Sequence, residues 1–273
     1  METPEILDNT EKKKLSSGNL ILIFAGALLL IFLIFYSIMA SMAPARKLKE
    51  IETSYGVKHD SEEKTDERLF TDSAYVSLLR EKSFLQSKIA MAGTDSIYMT
   101  LNIPDSTAHL EISGVSVHSV KISEMRISKI LRTGNNYAIQ TMLASPMTIA
   151  SYIATIKKEP LMIKMAPKDT SEFKPDVIPD TTDYEPVNYI LDMDNGLRIY
   201  VYQEVADSAN SDRNNLFFFD LNDRLKNTWQ SMKSVTSFKV PEYHPFIKIR
   251  VPKADAKIMY RAIPRKGQIA VYI

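Results

Sequence analysis

The C-terminal stretch "HPFIKIRVPKADAKIMYRAIP", residues His244–Pro264, predicts the most specific piece of the fold. An arginine on a short strand leads directly into Pro252, which suits the exit from a strand. Asp255 then favours the first turn of a helix, because a carboxylate stabilises the positive end of the helix dipole. A second proline, Pro264, ends that helix. The stretch therefore predicts a strand, a corner and a short helix.

These residues resemble the end of an L,D-transpeptidase (YkuD-type) domain, a family that crosslinks bacterial peptidoglycan through a cysteine nucleophile. The family motif reads His-Gly-Cys-Ile-Arg-Leu-Pro-Asn-x-Asp-Ala, and a helix, a proline, a glycine turn and a last strand follow it. The matching positions here are Ile249, Arg250, Pro252, Asp255, Ala256, Tyr260, Pro264 and, one residue late, Gly267. The resemblance implies a mainly β (α+β) domain with a few short helices.

The reactive positions of that motif are replaced. Lys248 stands where the cysteine would be, Phe246 where the histidine would be, and Ile247 where the glycine would be. The family's second histidine has no counterpart near "NTWQSMKSVT", and the chain contains no cysteine at all. Because the thiol-ester route needs a thiolate, a base and oxyanion donors, we predict a pseudoenzyme with no catalytic residue and no cofactor.

Binding is the remaining use for this degenerate site. Lys248 and Arg250 lie two apart on a strand, so both project from one face beside Phe246. Together they could attract a carboxylate from a peptidoglycan stem peptide or from an acidic partner loop. Arg250 has a second interpretation, an ion pair that braces the strand–helix corner.

Three consecutive aromatic residues form the other candidate binding feature. Phe217, Phe218 and Phe219 in "RNNLFFFDL" are either a partner patch or a mixture of core and one exposed face. A helix follows in "DLNDRLKNTWQSM", and we expect Asp220 to be its N-cap.

The N-terminal region predicts a membrane anchor. The apolar run "LILIFAGALLLIFLIFYSIM", Leu20–Met39, has no charged residue between Lys14 and Arg46. About 20 apolar residues cross the hydrocarbon core, whereas the apolar region of a cleaved signal peptide has only about 7–15. We divide the chain into a tail (1–19), a transmembrane helix (20–41), a juxtamembrane stem with a helix (42–94) and an L,D-transpeptidase-like domain (95–273).

The charges that flank this span do not orient it, because three basic residues precede it and three follow it. The short N-terminal tail and the large C-terminal domain favour a single-pass protein of the bacterial inner membrane, with a cytoplasmic N-terminus and a periplasmic domain.

The stem is predicted in two parts. The charged segment 45–68 suits a solvated linker. A helix should follow, capped by Thr71, Asp72 or Ser73. One of its faces carries the apolar residues Tyr75, Leu78, Leu79, Leu85 and Ile89. We expect this face to pack on the domain; a short oligomer seam is the alternative, so the oligomeric state stays open.

Strands are expected from Asp95 onward. The segments "SIYMTLNI" and "AHLEISGVSVHSVKI" alternate as a meander does, and "PVNYILDMDNGLRIYVYQEV" predicts a hairpin that turns at Asn195-Gly196. We predict a helix for "MTIASYIATIKK", a strand for "PLMIKM" and a long exposed loop for residues 166–185.

Composition excludes some functions. The 34 basic and 33 acidic residues balance, which gives no basis for nucleic-acid binding. The four histidines are scattered and His109 and His118 have no spaced carboxylate partner, so no metal site is predicted. We expect a cell-envelope protein that binds peptidoglycan or belongs to a trans-envelope complex such as a secretion system. The alternatives are an unrelated β-sandwich adaptor and an enzyme with non-cysteine chemistry.

Overall fold

The computed structural model describes residues 17–56, 72–158, 185–205 and 210–273. The helices are α1 (Ser17–Tyr55), α2 (Ser73–Ala92), α3 (Lys129–Thr133), α4 (Asn136–Leu143), α5 (Asn210–Thr236) and α6 (Lys253–Ala262). The strands are β1 (Tyr98–Asn102), β2 (Thr107–Ile112), β3 (Val115–Lys121), β4 (Glu124–Ile127), β5 (Met147–Ala154), β6 (Asn188–Met193), β7 (Arg198–Gln203), β8 (Phe246–Val251) and β9 (Gln268–Tyr272). The fold is mixed α/β, so "mainly β" is too narrow a description.

The nine strands form one sheet in the order β3-β2-β1-β9-β5-β6-β7-β8-β4. Pairs β1–β9 and β7–β8 are parallel, and the other neighbours are antiparallel. The two edge strands, β3 and β4, follow each other in the chain with only residues 122–123 between them. Three Cα steps span at most about 11 Å. The sheet must therefore curl until its two edges are close, which encloses the main core.

The C-terminal strand, corner and helix are confirmed. Strand β8 buries Ile247, Ile249 and Val251, and Pro252 is the N-cap residue of α6. Helix α6 buries Met259 and Tyr260 in the same core, and the chain then returns as β9 to the middle of the sheet.

Gly267 is required at the last reversal because of close packing. A Cβ atom there would lie 2.5 Å from Ile263 Cγ2 and 3.0 Å from the Pro264 carbonyl oxygen. We expect Gly267→Ala to lower the free energy of unfolding by about 1–3 kcal/mol, since the backbone oxygen cannot move away cheaply. Urea unfolding of the full chain in detergent, followed by circular dichroism, measures this. Gly93→Ala, whose Cβ would meet nothing closer than 3.7 Å, is the control that should be nearly neutral.

The apolar N-terminal helix continues well beyond its apolar run. Helix α1 contains a segment long and apolar enough to cross a membrane. It extends to Tyr55, and Ala43, Lys47 and Ile51 are buried at a spacing of four residues on one face. Residues 45–55 are therefore part of the packed domain and not a solvated stem. The first buried residue, Ala43, follows Met39 by four residues, or about 6 Å of helix.

Of the three candidate caps of helix α2, Asp72 is the N-cap residue, and its side chain accepts from Ala74 N at 2.9 Å. The helix packs on α4 and β9, as expected, but through a different face from the one that we predicted. Leu78, Leu85 and Ile89 are exposed, and the buried residues of the helix are Val76, Ser83, Ser87 and Met91. The small side chains of Ser83 and Ser87 let this second face pack closely on its neighbours, which favours it over the face that carries the leucines.

The segment "MTIASYIATIKK" is strand β5 and not a helix, so that prediction was wrong. Its isoleucines and threonines suit a strand, and pairing with β6 and β9 outweighs the local pattern. The hairpin prediction is confirmed, with β6 and β7 joined through Gly196 at φ +82°. The meander β1–β2–β3 is confirmed as well. The predicted strand "PLMIKM" and nearly all of the loop 166–185 lie outside the described residues.

Helix α5 is longer than predicted. It begins at Asn210, so Asp220 lies inside the helix and is not its N-cap. The three phenylalanines are consequently helical. Asp220 instead faces the sheet, and its contacts there explain why an aspartate is tolerated in mid-helix.

Candidate functional site

The three predicted site residues of β8 lie on the outer face of the sheet, the face that α5 packs against. Because side chains alternate along a strand, Phe246, Lys248 and Arg250 of β8 share this face. Tyr200 and Tyr202 of the parallel neighbour β7 stand beside them. The structure thus brings Lys248 and Arg250 together on one face.

Lys248 is surrounded by aromatic rings. Its Nζ lies 4.3 Å from the centroid of Tyr200, and 5.6 Å from those of Tyr202 and Phe246. It also donates to Asp220 Oδ1 at 3.4 Å and to the Tyr202 hydroxyl at 3.4 Å. Cation–π attraction holds this amine against the rings of β7 and β8, and the ion pair with Asp220 connects it to α5. Its partners are already inside the protein, so it does not present itself as a free nucleophile.

Asp220 is the centre of this cluster. It accepts from the Tyr202 hydroxyl at 3.0 Å and pairs with Arg224 at 2.6 Å. Burial alone would raise its pKa, but Lys248, the Tyr202 hydroxyl and Arg224 outweigh burial and hold the pKa of Asp220 below its usual value. Burial, assisted by Asp220, raises the pKa of Tyr202. The group is therefore an ionised aspartate held by neutral and cationic donors.

A second ionic cluster lies further along α5. Arg198 of β7 pairs with Asp192 at 2.6 Å and with Asp223 at 3.5 Å, and it donates to Asn227 Oδ1 at 3.0 Å. The Tyr200 hydroxyl donates to Asp223 at 3.1 Å. Burial and the charge of Asp223 raise the pKa of Tyr200 to about 12, although Arg198 opposes this.

The α5 residues of both clusters lie in one row of side chains that faces the sheet. We call it the sheet-facing polar row, and it consists of Asp212, Asp220, Asp223 and Asn227. Asp212 completes it by accepting from Gln203 at 3.0 Å. Helix α5 is therefore attached to the sheet largely through ionic and hydroxyl contacts, supplemented by Leu216 and Phe219. The row was missed in the sequence, although the spacing of Asp220, Asp223 and Asn227 by three and four residues could have revealed a single helix face.

Arg250 forms the ion pair that its second interpretation predicted. Its Nη1 donates to Glu124 Oε2 at 2.7 Å, and the two residues are cross-strand neighbours of β8 and β4. The pair braces two strands and not the strand–helix corner. Beside it is an open cleft of about 230 Å³, lined by residues that include Arg126, Lys248 and Arg250. Ligand pockets usually measure about 300–1,000 Å³, so this cleft suits one side chain more than a whole ligand.

Each interpretation of the three phenylalanines holds for part of them: one packs on the sheet and two are exposed. Phe219 packs with Ile190 on the outer face of the sheet. Phe217 and Phe218 are exposed, and their rings contact each other with centroids 5.8 Å apart.

The histidines correct one expectation. His118 does have a carboxylate partner, since its Nε2 lies 3.0 Å from Asp255 Oδ1 at the start of α6. His109 Nε2 lies 3.1 Å from the Thr107 hydroxyl. Among the residues that the structure describes, no group of three or more histidines, aspartates or glutamates could hold a metal ion.

Comparisons with protein-family models, curated proteins and solved structures found no match to this chain. The resemblance to L,D-transpeptidases therefore depends on the residues of the C-terminal segment alone and stays a prediction.

The lowered pKa of Asp220 predicts an acid-sensitive attachment of α5. A carboxyl group whose folded pKa is depressed stabilises the fold above its unfolded pKa, and this stabilisation disappears as the pH falls through the folded pKa. The usual value is 3.8. We therefore expect Asp220→Asn to be less stable than the wild type at pH 7 and the difference to shrink below about pH 4. Urea unfolding in detergent from pH 7 to pH 2 tests this; a difference that grows in acid would contradict it.

Proposed function

We propose that this protein is a membrane-anchored binding protein of the bacterial cell envelope whose L,D-transpeptidase-like domain is catalytically inactive. The contacts of Lys248 support this best. On the family's frame Lys248 occupies the nucleophile position, and here the amine is engaged by Asp220 and three aromatic rings. Helix α5 lies over the face on which a reacting group would have to be free.

The anchor is the apolar part of α1. We propose a single pass through the inner membrane, with the N-terminus in the cytoplasm and the domain in the periplasm. The large domain that follows the span supports this orientation. Because α1 continues as a helix into the domain, the anchor and the domain would move together, which suits a structural component of a trans-envelope complex.

The proposed ligand group is a carboxylate, from a peptidoglycan stem peptide or from an acidic loop of an envelope protein. The cleft beside Arg250 supports this, since Lys248 and Arg250 are paired there with Asp220 and Glu124, and Arg126 adds a cation that has no acidic partner among the described residues. Its small volume favours recognition of one acidic side chain.

Two assays on the full-length protein in detergent test the proposal. Incubation with muropeptides should give no crosslinked or trimmed product, and any such product would overturn the assignment as inactive. Co-sedimentation with purified peptidoglycan should fall in Arg126→Gln, which alters the cleft, and stay unchanged in Arg265→Gln, an exposed basic residue elsewhere. Equal binding by both variants would remove this cleft as the peptidoglycan site, and no co-sedimentation of the wild type would remove peptidoglycan as the ligand.

A further inference from the structure

Helix α5 has an unusual outward face. Its exposed apolar residues are Phe217, Phe218, Leu221, Leu225 and Trp229. Steps of three and four residues from Phe218 to Trp229 place them along one stripe of the helix. A surface helix normally turns its apolar stripe to the core. Here the sheet-facing polar row occupies the inner side, and the apolar stripe faces outward without a partner in the described chain.

The charges of α5 are divided in the same way. Its three acidic residues, Asp212, Asp220 and Asp223, all contact the sheet. Its basic residues are all exposed: Arg213, Arg224, Lys226 and Lys233. Only Arg224 has a carboxylate partner on the helix, Asp220. The accessible surface of α5 therefore combines an apolar stripe with charged residues that are mostly unpaired and all basic, as in helices that lie in a membrane interface.

The end of α5 is close to the anchor. Phe238, two residues beyond the helix and 82% exposed, contacts Phe35 of α1 with ring centroids 5.9 Å apart. Phe35 belongs to the apolar run Leu20–Met39. If this run spans the bilayer, Phe35 lies about 6 Å inside the hydrocarbon edge near Met39, so Phe238 reaches the hydrocarbon and the C-terminal end of α5 lies at the membrane surface.

We infer that α5 is a second membrane contact, with its Phe–Leu–Trp stripe in the interface and its basic residues on anionic lipid headgroups. This rests on the proposed anchoring by α1 and extends it to the orientation of the domain. A second copy of the chain is a poorer occupant, because two α5 helices would bring eight basic side chains together with no free aspartate between them.

Trp229, the chain's only tryptophan, reports directly on this contact. The full-length protein is reconstituted into phosphatidylcholine vesicles with about one third phosphatidylglycerol, in which part of the phosphatidylcholine carries bromine high on its acyl chains. Bromolipid should quench Trp229 by at least about twofold, and less in vesicles without phosphatidylglycerol. Equal quenching in both membranes would overturn the anionic-lipid assignment. Flotation of the vesicles after an alkaline wash tests the anchor separately, because failure of α1 abolishes flotation.

Two matched variants make the test specific. Leu225→Asp, on the exposed stripe of α5, should reduce the bromolipid quenching by about half or more, since a charge in the interface opposes insertion. Leu78→Asp, on the exposed face of α2, is similarly accessible and should leave it unchanged. A floating wild-type protein whose Trp229 is not quenched by bromolipid overturns the inference. So does protection of Trp229 from acrylamide without bromolipid quenching, which would indicate a protein neighbour.

Discussion

Replacing Arg198 with methionine is expected to lower the free energy of unfolding by about 3–5 kcal/mol, because it removes the cation from a buried ionic cluster. The Arg198 side chain is 13% exposed, and that of its partner Asp223 is 6% exposed. Without the guanidinium, the carboxylates of Asp192 and Asp223 would lose the cation that they share where α5 packs on the sheet. The large cost comes from these uncompensated charges and not from the strength of the original pair.

The measurement is urea unfolding of the full chain in detergent, with circular dichroism for the fold and Trp229 fluorescence for α5. The double variant Arg198→Met/Asp223→Asn should be more stable than Arg198→Met alone, since it also removes one uncompensated charge. The stability of Arg198→Lys should lie between those of the wild type and Arg198→Met, because one amine cannot make all the contacts of the planar guanidinium. A loss below about 1 kcal/mol for Arg198→Met would contradict the ionic attachment of α5.

Local signals were sufficient for part of the fold. The β6–β7 hairpin follows from Asn195-Gly196, since a tight turn with positive φ is encoded within a few residues. The corner of β8 and α6 follows from Pro252 and Asp255 in the same way. The cap of α2 at Asp72 is another local feature that needs no distant partner.

Tertiary context decided the elements that the sequence analysis missed. The local pattern of β5 predicts a helix, and only its pairing with β6 and β9 makes it a strand. Residues 45–55 resemble a linker because they are highly charged. Lys47 and Ile51 among them nevertheless continue, at a spacing of four, the buried face that begins at Ala43. For α2 the apolar stripe was recognised correctly, but the inference that an apolar stripe is buried was wrong.

The candidate site shows the same division. A strand period of two was enough to place Lys248 and Arg250 on one face. Their partners, Asp220 and Glu124, are 28 and 126 residues away in the chain, and no local pattern identifies them. The sequence therefore predicted Lys248 and Arg250 as candidate binding residues, but it could not show that each of them already has an acidic partner.

Lys248→Glu should have the second large effect, a loss of about 3 kcal/mol in the free energy of unfolding. The substitution removes the cation from the rings of Tyr200 and Tyr202 and places a carboxylate beside Asp220, where the ammonium lies 3.4 Å from Oδ1. Repulsion across this short distance should detach the middle of α5, and the fluorescence of Trp229 should change with it.

Two further variants separate this effect from general damage. The charge swap Lys248→Glu/Asp220→Lys should recover at least about half of the loss, since it restores an attractive pair in reverse. Arg250→Glu, on the same face of the same strand, should cost at most about 1 kcal/mol, because its partner Glu124 is 67% exposed and solvent screens the pair. If Lys248→Glu costs no more than Arg250→Glu, then Lys248 does not hold α5, and the packing of α5 on this face of the sheet would need another cause.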